Sequence, residues 1–255
     1  MAQPFRIDLQ EQFPHLARAP IVEAVIDIRA RPEAEWSEHG VTERFKALIP
    51  EYPQAQRRRE FSQQFRLGAA TTELHNQGWT GVRFLSADTR NIVEFTRDGF
   101  AYHRLPPYED WNRFSGEAMR LWKHFLEIAR PSELQRVGVR FIGRIDMEPQ
   151  EDNFEEYIQP SPVTPKGVEV PFVGFFHQDT LAIPGYPYVV NIIRTLQLPE
   201  KATQGCAIIL DIDVGTTQPC KPVEEEMARC LAEMRWLKNR VFFGSITEKT
   251  KEKYK

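Results

Sequence analysis

No apolar run in this 255-residue chain approaches the roughly 18–20 residues that a membrane-spanning helix needs. The opening segment MAQPFRIDLQEQ lacks the apolar stretch of a signal peptide. Cysteine is scarce: Cys206, Cys220 and Cys230 are odd in number and not closely spaced, which argues against a disulfide framework and against a zinc site. Together these absences give the expectation of a cytoplasmic protein in a reducing compartment, with no membrane partner. Net charge is also lacking. At −3, the chain has no global field to draw in nucleic acid or lipid, although its first half is arginine-rich and the part after Asp146 is acidic. There is no GxGxxG, P-loop, GxSxG or HExxH, so neither a cofactor nor a catalytic residue is expected from motif. Low-complexity tracts and fixed-period repeats are missing too.

What the sequence does contain is the 41% hydrophobic and 27% charged composition of a folded globular protein. Its clearest pattern runs from Trp79 to Leu105, where three alternating segments read as consecutive antiparallel strands. Asp98-Gly99 there predicts a type I′ turn. Alternation also predicts strands at 19–30, 60–67 and 134–145, with a loop at 68–78. Three-and-four spacing predicts helices at about 34–49 and 109–130. Residues 1–19 read as an irregular arm. Beyond a proline- and acid-rich crossover at 148–171, three strands are expected at about 172–179, 186–197 and 204–214. A helix follows from Pro222 to about Phe243, then a frayed basic tail.

The fold class is therefore α+β. We expect two antiparallel-sheet subdomains. Residues 1–147 would give strand, helix, four strands, helix and strand, and residues 148–255 three strands and the long helix, which would pack across both. Whether the two share one continuous sheet is left open by the sequence.

The segments PIVEAVIDIR near the N-terminus, SADTRNIVEFTRDGFAYHRLPPYEDW in the centre and MRWLKNRVFFGSITEK at 234–249 together resemble a family of uncharacterised, sporadically distributed prokaryotic proteins of about 250 residues. The resemblance covers 18–250. It implies an accessory role of the kind carried by mobile or defence-associated genes, and it supplies no catalytic residues.

Arginine dominates the candidate chemistry. Arg83, Arg97, Arg104, Arg136, Arg140 and Arg144 lie on predicted strands or their turns. If several share a face they would bind an anion, with Tyr102 and His103 able to stack on a base. The competing reading is cross-strand ion pairing with Glu60, Asp88, Glu94 and Asp98, and it is favoured because such pairs are ordinary in sheets. Asp211 and Asp213, two apart in LDIDV, could hold a divalent cation with Glu23 and Asp27, but nothing in the sequence shows them converging. His177 and Asp179 could form a base and its orienting partner, though no nucleophile accompanies them. Trp236, Phe242 and Phe243 widen the apolar stripe of the last helix and could meet a partner.

The expected function is a non-enzymatic interaction module acting through a protein partner or self-association. The alternative is a nucleotide or nucleic-acid sensor on the strand arginines. A metal-dependent enzyme using Asp211 and Asp213 is the weakest reading.

Overall fold

The computed structural model describes residues 5–34, 36–64, 73–148, 153–168, 170, 172–198 and 205–255, with the backbone alone described for 59–64 and 73–77. Its centre is β1 (Ile21–Arg29), the strand whose alternation is cleanest in the sequence. On one side β1 pairs with β5 (Gly99–Arg104), placing Ile26 opposite Tyr102. On the other it pairs with β6 (Arg136–Asp146), placing Ile26 opposite Val139. From β5 the sheet continues through β4 (Asn91–Thr96) and β3 (Glu73–Leu85) to β2 (Gln54–Gln64). From β6 it continues through β9 (Ala207–Thr216) and β8 (Tyr188–Gln197) to β7 (Phe176–Ala182).

The result is a nine-stranded sheet in the order β2-β3-β4-β5-β1-β6-β9-β8-β7, antiparallel throughout. The open question is thereby answered. Residues 1–147 and 148–255 contribute to one continuous sheet, joined at the β6–β9 ladder, where Phe141 faces Ile212.

Strand alternation sends one set of side chains to each face. Ile26, Val93, Phe95, Phe100, Val139, Ile212 and Val214 form the buried face, covered by three helices. Helix α1 (Glu38–Leu48) buries Val41 and Phe45, and the Phe45 ring stacks on Phe95 at 3.5 Å. Helix α2 (Trp111–Ala129) carries the predicted stripe of Phe114, Ala118, Leu121, Trp122, Phe125 and Ile128. Asp110 caps it, accepting from the Arg113 amide at 2.9 Å, and Arg130 ends it in the left-handed region. Helix α3 (Glu224–Ser245) lies on β6 and β9, across the ladder that joins the two segments, as its stripe of Met227, Cys230, Leu231, Met234 and Leu237 predicts.

Several expectations are corrected. β2 begins at Gln54, six residues before the predicted start at 60, so Arg57, Arg58 and Arg59 lie within it; its predicted end at 65–67 falls outside the described residues. The predicted loop at 73–78 belongs to β3. The β4–β5 corner is Arg97-Asp98, neither with a positive φ, and Gly99 opens β5 instead. Glycine is required there for close approach: a Cβ at its φ of 139° would lie 2.0 Å from the Ile28 carbonyl. The tail is not frayed. It forms α4 (Glu248–Tyr254), capped by Thr247, with Thr250 wholly buried and donating to the Tyr157 carbonyl at 2.7 Å.

Phe125 sits among Trp36, Phe95, Phe100 and Trp122 and is wholly buried. Phe125→Ala removes the ring that joins α2 to the sheet, and should lower stability by about 3–5 kcal/mol. Urea unfolding measures this; a loss under about 1 kcal/mol would mean that α2 does not depend on this contact.

Candidate functional site

The sheet face opposite the helices is polar and runs as a band of ion pairs across seven strands. Arg58 of β2 donates a hydrogen bond to Glu94 of β4, Arg83 of β3 forms an ion pair with it at 3.1 Å, and Glu94 is only 7% exposed. His103 of β5 meets Glu23 of β1 at 2.8 Å through Nδ1, while its Nε2 is buried and finds no partner among the described residues. Arg140 of β6 grips Asp211 of β9 with two hydrogen bonds, at 2.9 and 2.5 Å. Arg136, also on β6, donates to Asp27 at 2.6 and 2.5 Å and to Asp213 at 2.7 and 2.8 Å.

Electrostatics follow from this geometry. The hydrogen bond from His103 holds the Glu23 carboxyl below its usual range against the opposing effect of burial, helped by the charges of His103, Arg140 and Arg83. The hydrogen bond to Asp211 raises the Arg140 guanidinium further still, although burial opposes it.

Of the candidate ligand-binding residues, Arg83, His103, Arg140 and Arg144 share this face. Arg144 bonds Asp146 at 2.8 Å and Gln197 at 2.9 Å. Tyr102 does not join them. Successive strand residues point to opposite faces, so it is buried under α2, donates to Asn91 Oδ1 at 2.7 Å, and cannot stack a base beside His103. Arg104 shares Tyr102's face, bonding Asn91 at 3.1 Å and the Pro107 carbonyl at 3.2 and 2.9 Å. Arg97 lies over the Trp79 ring at 5.7 Å.

Ion pairing was anticipated with only some of the right partners. Glu94 serves, but Asp88 closes its own turn by accepting from Ser86 and the Arg90 amide, and the Glu60 side chain lies outside the described residues. The proposed metal carboxylates Asp211 and Asp213 are each held by an arginine. No cluster of three or more metal-capable groups occurs among the described residues.

Two other features stand out. Strand β7 is an edge strand exposed at every residue, with Phe176 63% exposed and Val173, Leu181 and Leu198 exposed around it. A cavity of about 370 Å³ opens between the N-terminal arm, α2, α3 and the β6–β9 ladder. The arm closes over the face of α3 that could have met a partner: Glu11 accepts from Trp236 at 2.9 Å and Phe13 stacks on Phe243. Lys238 lines this cavity and was missed. The sequence signal was a lone lysine on the apolar side of the last helix.

Gly138 and Gly215 face each other beneath the Arg136 guanidinium, and a Cβ on Gly138 would lie 2.1 Å from Arg136 Nη1. Gly138→Ala should therefore displace the arginine and cost about 1–3 kcal/mol, allowing for partial exposure. Gly116→Ala, on an exposed helical position with open space, should be neutral or slightly stabilising in the same urea series. Equal effects would remove the argument. A second outcome concerns pH. Because Glu23 has a depressed folded pKa, its stabilisation is complete above the unfolded value near 4.5 and is lost as pH falls through the folded value. Glu23→Gln should cost about 1 kcal/mol at pH 6, and the difference from wild type should shrink as the pH is lowered through the depressed folded value. A difference independent of pH would show that the ion pair is not its source. Compared with protein-family models and with curated proteins, the chain matches none.

Proposed function

We propose that this protein is an interaction module that self-associates by pairing the β7 edge with the β7 edge of a second copy, extending the sheet across a two-fold axis. The observation that carries this reading is the state of that edge. Natural sheets blunt a free edge with lysine, proline or a covering element, because unpaired N–H and C=O groups recruit another strand. Residues 176–182, FHQDTLA, contain neither lysine nor proline, and all seven are exposed.

The sequence also supplies complementarity. With the two-fold centred on Gln178, antiparallel pairing puts His177 opposite Asp179 of the second copy, twice over. The Asp179 carboxylate bonds Arg194 through Oδ2, which leaves Oδ1 for the incoming histidine. Val173, Phe176 and Leu181 add apolar surface at the same rim.

The alternative, a nucleotide or nucleic-acid sensor on the strand arginines, is less favoured. Arg83, Arg136 and Arg140 would have to abandon carboxylates with which they already form ion pairs. No helix among the described residues is long and apolar enough to cross a membrane, and the thiols of Cys206, Cys220 and Cys230 are free. We place the module in the cytoplasm, in the accessory or defence-associated role that the resemblance implies.

Light scattering coupled to size exclusion tests the reading. Wild type should run as a dimer at tens of micromolar. Gln178→Lys, which sets two ammonium groups face to face, should be monomeric with an unchanged circular dichroism spectrum. His177→Asp should also dissociate the dimer, and adding Asp179→His should restore it. A monomeric wild type, or a dimer indifferent to Gln178→Lys, would overturn the proposal.

A further inference from the structure

The cavity between the arm and α3 is lined on several sides by aromatic rings, among them Tyr108, Trp111, Phe141 and Phe242. Into it α3 brings two cations. Lys238 is partly buried, its Nζ 4.0 Å from the centroid of the Phe141 ring and 2.6 Å from Asn239 Oδ1. Arg235, one turn earlier, lies over Trp111 at 5.7 Å. Neither has a carboxylate within 4.0 Å among the described residues, whereas the arginines of the polar face are paired.

The acidic groups that line the cavity are already engaged. Glu11 of the arm bonds Trp236 and Arg240. Glu109 bonds Arg113 and Arg104. Asp110 caps α2. His15 of the arm and Tyr108 complete the titratable lining, and the strand floor of Phe141, Gly143, Leu210 and Ile212 carries no charge.

The Phe141 ring face and the Asn239 oxygen both favour the ammonium form, but neither supplies the full negative charge that a buried cation needs. Burial, and then the charge of Arg235, push the Lys238 pKa down to about 7. Such a group lacks one thing, a negative charge delivered with apolar surface. The volume falls within the roughly 300–1,000 Å³ typical of small-molecule sites, which combine apolar walls with a few converging polar groups.

We propose that this cavity binds a small aromatic or aliphatic carboxylate, its apolar body among the rings and its carboxylate against Lys238 and Arg235. The site is independent of the β7 edge, since none of its lining residues belongs to β7 or β8.

Isothermal titration of the full chain with phenylacetate, indole-3-acetate and octanoate, beside uncharged 2-phenylethanol, tests this. At least one acid should bind with a submillimolar Kd at pH 6.5, and the alcohol at least tenfold more weakly. The sign of the pH dependence is fixed. The carboxylate needs the ammonium form, so the Kd should be flat below about pH 7 and rise towards tenfold per pH unit above it. Lys238→Met should weaken binding tenfold or more and abolish that slope. Arg235→Gln, at an exposed position, should weaken binding several-fold and keep it. The first two readouts use wild type alone, so they stand even if Lys238→Met fails to fold. Binding by none of the three acids, equal binding of the alcohol, or a pH-independent Kd would each overturn the proposal.

Discussion

The Arg136 guanidinium ties together three strands, two from residues 1–147 and one from residues 148–255. It sits on β6, bonds Asp27 on β1 through Nη1 and bonds Asp213 on β9 through Nη2. The ladder it spans is the seam between residues 1–147 and 148–255, and the opposed glycines Gly138 and Gly215 exist in register to let it lie flat. On the other face of the same seam α3 packs over Phe141 and Ile212. One continuous sheet results because the seam is closed from both sides, by charge on one face and by apolar burial on the other.

That division of labour decides what each face can do. The helix-covered face is a core in the usual sense, bound by area removed from water. The polar face holds nearly all of its charge in cross-strand pairs, so an anionic ligand there would compete with carboxylates that are covalently part of the sheet and already in place. Charges left without partners have to be sought elsewhere, and they occur where the sheet, α3 and the N-terminal arm meet. Arg235 and Lys238 are there, beside acids that other residues have claimed.

Much of the architecture was legible because period counts for more than identity. The α2 stripe and the alternation of β1, β5 and β6 give their elements to within a residue or two. The failures have physical causes. Gly99 reads as a turn residue, yet tertiary contact with Ile28 is what demands glycine. SITEKTKEKYK reads as a solvated tail because its lysines dominate, while a single threonine, Thr250, anchors it by a buried hydrogen bond. Asp211 and Asp213 read as a possible ligand pair because spacing shows which face a carboxylate occupies and not which arginine the neighbouring strand sets against it. Tyr102 and His103 were grouped by adjacency, and adjacency on a strand is the arrangement that separates two side chains.

Lys238 illustrates the remaining gap. Within α3 it falls inside the apolar stripe, four residues after Met234 and seven after Leu231, so helical period alone shows a misplaced lysine and not its surroundings. Its environment is supplied by Phe141, about a hundred residues earlier, and by an arm held down through Glu11 and Phe13 at the other end of the chain. A local pattern cannot encode a cavity whose walls come from three distant segments. The sequence carries a trace of it all the same. A helix designed only to cover a sheet would place leucine or alanine where Lys238 stands, since an amine there loses hydration and gains no carboxylate. A lysine at such a position costs stability, and a ligand bearing the missing negative charge would offset that cost.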